Sequence, residues 1–190
     1  MSSAFTVANY LAAQRRLSEK LDVAAFEAAV GVVKAAFESG SQIITCGNGG
    51  SAHTASHYIT DWNKMVNLAT GRKLRGISLC DNVGIVTAFA NDIAYEEVFA
   101  GQLKAILEPN DLLIALSGSG HSANVVKAVE YANGAGAITL AVVGYDGGTL
   151  KRIARHVVWV PSFDMQLCED AHLMFGHMVM KTLCGSGIAD

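Results

Sequence analysis

Val7, Leu11, Leu17 and Leu21 recur near the N-terminus at roughly helical spacing, which predicts a first helix. Asp22 follows as a suitable N-cap for a second helix that carries Phe26, Val33 and Phe37 and stops at Gly40, since glycine readily takes the left-handed conformation that ends a helix. The rhythm then changes. Short apolar runs at 42–46, 74–79, 111–116, 137–143 and 156–160 are separated by glycine-rich turns and helical stretches. Strands that alternate with helices predict a parallel sheet, because parallel neighbours need a long crossover and a helix is the usual one. The expectation is an α/β three-layer sandwich, flavodoxin-like in plan, with a central five-stranded parallel sheet and the N-terminal helices added to it. Right-handed crossovers put helices on both faces, so a ligand is expected outside the carboxyl ends of the strands.

Composition narrows this picture. The 190 residues fit one domain, 1–190, with an N-terminal helical pair over 1–40 and an α/β core over 41–184. The chain is 51% hydrophobic and 16% charged, yet no apolar run approaches the ~20 residues that span a bilayer, so no membrane partner is expected. Met1 to Lys20 holds polar residues throughout, which predicts neither a secretory signal nor an anchor and points to the cytoplasm. Cys46, Cys80, Cys168 and Cys184 form no CxxC pair and read as reduced packing residues. A net charge of -3 without a Lys/Arg cluster argues against nucleic acid. So apolar a chain with so few charges predicts a homo-oligomer in which some helix faces are covered by other subunits.

Two loops carry candidate chemistry. The first, Gly47-Asn48-Gly49-Gly50-Ser51-Ala52, follows the first predicted strand and opens a helix, where glycines admit an anion to free N–H groups and the positive end of the dipole. It lacks both the GxGxxG dinucleotide pattern and the GK[ST] of a Walker loop. The second, Ser117-Gly118-Ser119-Gly120-His121-Ser122-Ala123-Asn124, follows the third strand, and its serines can donate to phosphate oxygens while Ser122 suits an N-cap. Neither loop contains lysine. Two such loops on neighbouring strands predict a monophosphate gripped by neutral donors.

Acids and bases follow on two helices. His57 and Asp61 stand at i,i+4 on one helix face, able to bind a metal or exchange a proton. Near the C-terminus, Glu169 and Asp170 precede His177 by eight and seven residues, so either acid could share its target, and spacing alone does not choose between them. His172 falls on a different face from His177. His53 and His156 read as surface or structural.

Taken in order, the first loop with His57 and Asp61, Asn91-Asp92, the second loop, Gly144-Tyr145-Asp146-Gly147-Gly148, and Glu169-Asp170-Ala171-His172 with His177 resemble the phosphoheptose isomerases of the sugar isomerase (SIS) class. The resemblance runs in register from about Gln42 to Leu183. It implies an SIS-type sheet, a homotetramer, and conversion of sedoheptulose 7-phosphate to a glycero-manno-heptose 7-phosphate destined for lipopolysaccharide, capsule or other nucleotide-heptose products. It implies further that Asn48, Gly49, Gly50, Ser51, Asn91 and Asp92 line the substrate while Ser117, Gly118, Ser119 and Ser122 hold its phosphate. A zinc ion, where the family has one, would fall to His57, Asp61, Glu169 and His177. Two of these depart from the family pattern: a glutamate has become Asp61 and a glutamine has become Glu169. Asn82, beside Asp81, stands where the family has an aspartate. The chemistry implied is proton transfer through an enediol, with Asp61 and His177 as the acid–base pair and Glu169 as the extra carboxylate at the sugar. The same fold class also holds isomerases of other phosphosugars, a replication-initiation regulator that binds protein, and sugar-phosphate sensors.

Overall fold

The computed structural model describes residues 5–187. Thr6 opens α1 (Val7–Ser18) by accepting the Asn9 amide at 3.1 Å, and Asp22 opens α2 (Val23–Ser39) by accepting the Ala25 amide at 3.1 Å. Gly40 closes α2 with φ 77°, as its position predicts. The core then alternates: β1 (Ile43–Cys46), α3 (Gly50–Asp61), a π-helical turn (Trp62–Val66), α4 (Asn67–Thr70), β2 (Gly76–Ser78) and α5 (Val83–Asp92). A 3₁₀ turn (Tyr95–Glu97), α6 (Ala100–Ile106), β3 (Leu112–Ser117), α7 (Ala123–Gly134), β4 (Ile138–Val143), α8 (Leu150–Ile153), β5 (His156–Trp159) and α9 (Met165–Cys184) complete it. All five strands are parallel, in the order β2-β1-β3-β4-β5. This is the flavodoxin-like order, whose switch point lies between β1 and β3, and those two strands carry the two phosphate-type loops.

Helices on both faces explain why the central strands are apolar throughout rather than alternating. Ile43, Leu112, Ile114, Leu116, Leu140 and Val142 face the layer that contains α2, α3 and α9. Ile44, Leu113, Ala115, Ala141 and Val143 face the layer that contains α6, α7 and α8. Full burial of each Leu, Ile or Val here is worth about 1.5–3 kcal/mol, so the sheet is a firm base for its loops. The N-terminal pair is unequal. Five α2 side chains, among them Phe26, Val33 and Phe37, are buried, whereas α1 buries only Leu17 and leaves Val7 and Leu11 exposed.

The strand boundaries differ from the apolar runs for local reasons. Of 74–79 only Gly76–Ser78 pairs, and β2 is an edge strand. The Asn63 side-chain amide covers that edge, donating to the Gly76 carbonyl at 2.9 Å and accepting the Gly76 amide at 3.1 Å, which blocks pairing with another chain. Asp111 precedes β3 as a brace: its carboxylate accepts the Gln42 amide at 2.8 Å and the Glu108 amide at 3.0 Å. The four cysteines are free thiols. Among the described residues no helix is long and apolar enough to cross a membrane.

Candidate active site

At the carboxyl ends of β1 and β3 the two loops enclose a cavity of about 130 Å³. Asn48 and Ser51 line it from the first loop, Ser117, Gly118, Ser119 and Ser122 from the second, and Glu169 from α9, over Leu116 and Met165. Pockets for whole ligands run to roughly 300 Å³ and more, so this one is the size of a terminal group such as phosphate. No lysine or arginine lines it. Ser122 sits at the N-cap of α7 yet makes no capping bond; its Oγ lies 3.2 Å from Ser117 Oγ instead. Gly49, the N-cap of α3, has no side chain to cap with. Both helix starts therefore lack a side-chain cap, the condition under which main-chain amides serve an anion.

An amide clasp fixes the loops to each other. Asn48 Nδ2 donates to Asn124 Oδ1 and Asn124 Nδ2 donates to Asn48 Oδ1, both at 2.8 Å, while Tyr95 Oη donates to Asn48 Oδ1 at 2.9 Å. Asn124 is buried. The Asn48 side chain thus spends both carbonyl lone pairs and one N–H on the protein, leaving a single N–H for a ligand. Behind the second loop, the turn at Gly144 to Gly148 packs so closely that a Cβ on Gly120 would stand 2.1 Å from the Gly147 carbonyl oxygen. Only glycine fits there, and its φ of 68° favours glycine as well.

Further along α3 the titratable side chains gather. His57 Nε2 lies 3.2 Å from Asp61 Oδ2 and 3.2 Å from His177 Nε2, and His177 Nε2 lies 3.8 Å from Asp61 Oδ2. Two N or O ligands at ~2.1 Å from a tetrahedral ion stand roughly 3.4 Å apart, so this trio fits zinc with a fourth position open. Glu169 is not in the trio. Its carboxylate lies over Gly50, where an added Cβ would meet Oε1 at 2.5 Å, and it faces the phosphate-sized cavity. Asp170, the other acid that spacing allowed, accepts from Tyr10 Oη at 2.6 Å, a bond that raises the Tyr10 hydroxyl pKa to about 12. His172 is buried, and neither ring nitrogen makes a hydrogen bond of normal geometry. Burial pulls its pKa down to about 4, against a weaker upward pull from the Val143 main chain.

Asn91 and Asp92 do not line the cavity. Asn91 Nδ2 donates to Asp92 Oδ1 at 2.8 Å at the end of α5, beside a separate cleft with Ile85, Phe89 and Ile93. Asn82 caps α5 by accepting the Ile85 amide, and Asp81 accepts from Ser56 Oγ. Sequence reasoning placed Asn124 at the end of the second loop without giving it a role, and passed over Tyr95, which stands three residues after Asp92.

The SIS domain family matches residues 8–144. The phosphoheptose isomerase of Helicobacter pylori is 41% identical over 142 residues, covering 75% of this chain and 73% of that protein. The phosphoheptose isomerase of Crocosphaera subtropica is 35% identical over 157 residues, covering 83% and 80%. The solved phosphoheptose isomerase of Neisseria gonorrhoeae superposes with a TM-score of 0.86 at 27% identity, over 93% of this chain and 96% of that one.

Proposed function

The chain belongs to the phosphoheptose isomerase family of SIS-domain proteins, and from that premise we propose that it interconverts sedoheptulose 7-phosphate and D-glycero-D-manno-heptose 7-phosphate. The observation that carries the reading is the separation of two stations along one helix. The phosphate-sized cavity meets α3 at Ser51, while His57 lies six residues on, roughly 9 Å along the axis, and Asp61 a turn further. An extended heptose phosphate places its reacting C1 and C2 at the end away from its phosphate, on the order of that distance.

Ser117, Ser119, Ser122 and Ser51 hold the phosphate, with Gly49, Gly50 and Gly118 allowing close approach. Asp61 takes the proton from the carbon beside the carbonyl and returns it to the neighbouring carbon, and His177 moves the proton between the two oxygens. Atoms balance without a redox partner. His57, Asp61 and His177 would hold the zinc ion, and Glu169 is the candidate for its fourth position. Such an ion would supply positive charge for the developing enediolate. Asp61 faces both histidines through Oδ2, so its Oδ1 keeps a lone pair for the proton.

Homotetramer assembly belongs to the same reading. A cavity of about 580 Å³ lined by Leu21, Phe26, Val30, Met174 and Met178 leaves an apolar surface on α2 and α9 for another subunit to cover. α5 buries none of its residues, which leaves Asn91 and Asp92 exposed for a sugar held by a neighbouring copy. Cytoplasmic residence rests on four free cysteines.

The test is a panel of ketose phosphates of five to seven carbons with purified protein, with and without zinc. The heptulose is expected to give the highest kcat/KM. Preference for a shorter sugar would replace the substrate, and no turnover of any would favour a binding protein.

A further inference from the structure

Tyr58 and Trp62 stand one turn apart, at the end of α3 and the start of the π turn, and both are fully buried. Tyr58 Oη donates to the main-chain carbonyl of His172, and Trp62 Nε1 donates to that of Gly176 at 2.9 Å. The acceptors, like the donors, are four residues apart, so the two bonds are successive rungs between α3 and α9. The rings stack on each other with centroids 4.9 Å apart and planes 22° from parallel. Gly176 leaves the slot for Tyr58: a Cβ there would stand 2.2 Å from Tyr58 Cε1.

The rungs alternate with the metal-type side chains. His57 and Asp61 each precede a donor by one residue, and His177 follows the second acceptor by one. A slip of one residue, about 1.5 Å along α9, would break both rungs and move His177 relative to His57 and Asp61 by more than the ~0.2 Å that ligand geometry tolerates. We infer that Tyr58 and Trp62 are positioning residues for the trio, setting the register of α3 on α9 and with it the metal affinity. The inference rests on the reading of His57, Asp61 and His177 as a zinc site.

Zinc affinity of the full chain, measured by competition with a chromogenic chelator, tests it. Tyr58→Phe combined with Trp62→Phe keeps two aromatic rings and removes both donors; affinity should fall about 10-fold or more, the usual scale for loss of groups that orient ligands. Phe175→Leu is the control, because Phe175 packs edge-on against Tyr58 in the same core without bonding α9 to α3. It should lower the unfolding temperature and leave zinc affinity in the folded protein unchanged. Wild-type affinity in the double variant, or an equal loss in Phe175→Leu, would overturn the inference while leaving the zinc reading standing. Failure of the wild-type chain to take up zinc would remove both.

Discussion

The phosphate-sized cavity and the His57–Asp61–His177 trio are built in opposite ways. The cavity comes chiefly from two contiguous loops, with α9 closing one side, and the loop positions follow from adjacent strands: Cys46 pairs with Ala115, and the loops begin within two residues of that pairing. The trio comes from two helices that meet only in the folded core, with His57 and His177 separated by 120 positions in the chain. A site of the first kind depends on local backbone and small side chains. One of the second kind depends on the register of buried aromatic and aliphatic packing, so it fails when the core shifts even though its own residues are intact.

That contrast predicts graded losses. The largest belongs to the trio: Asp61→Asn and His177→Gln should each lower kcat by ~10²–10⁴-fold with little change in KM, measured by steady-state kinetics, since they remove proton transfer rather than phosphate binding. A loss confined to KM would place both residues on the phosphate side. Next comes the buried face of α9. His172 has a folded pKa of about 4 against an unfolded value of 6.5, so the unfolded chain binds the extra proton and stability falls as pH drops. The contribution is complete above pH 6.5 and is lost down to about pH 4, amounting to about 3 kcal/mol. Denaturant unfolding across that window should show the slope, and His172→Leu should flatten it.

The loop side should respond more gently. Ser117→Ala, Ser119→Ala and Ser122→Ala each remove one neutral donor, worth about 1 kcal/mol, so KM should rise roughly 5-fold apiece while kcat holds. Smallest is the clasp. Tyr95→Phe leaves the reciprocal Asn48–Asn124 bonds in place and removes one donor to Asn48, so KM should rise by about 2- to 5-fold, within the span of a single net hydrogen bond. If Tyr95→Phe exceeded the serine variants, the clasp rather than the serines would dominate phosphate binding.

The same contrast explains what could be read from the sequence. Gly47 to Ser51 and Ser117 to Ser122 announce a site because glycine and serine beside a strand end have few other uses. The parallel sheet was legible in its buried runs, and its short edge at Gly76–Ser78 was not, because a side chain, Asn63, stands in for the missing neighbour. The choice between Glu169 and Asp170 could not be made by counting, since both lie about two turns from His177. Tyr10 decided part of it by engaging Asp170. Nothing in the spacing showed that Glu169 would face the cavity rather than join the trio, because that depends on how α9 leans across the start of α3. No motif in the sequence marks Tyr58 and Trp62, because their role exists only in the pairing of the two helices.

The central claim is proton transfer between C1 and C2 of a heptose phosphate, and the most direct measurement is NMR of sedoheptulose 7-phosphate incubated with the purified protein in D₂O. The account predicts new anomeric signals of the aldose heptose 7-phosphate with deuterium entering at C2, and loss of both in Asp61→Asn. Unchanged ketose signals with folded protein, with and without added zinc, would contradict it.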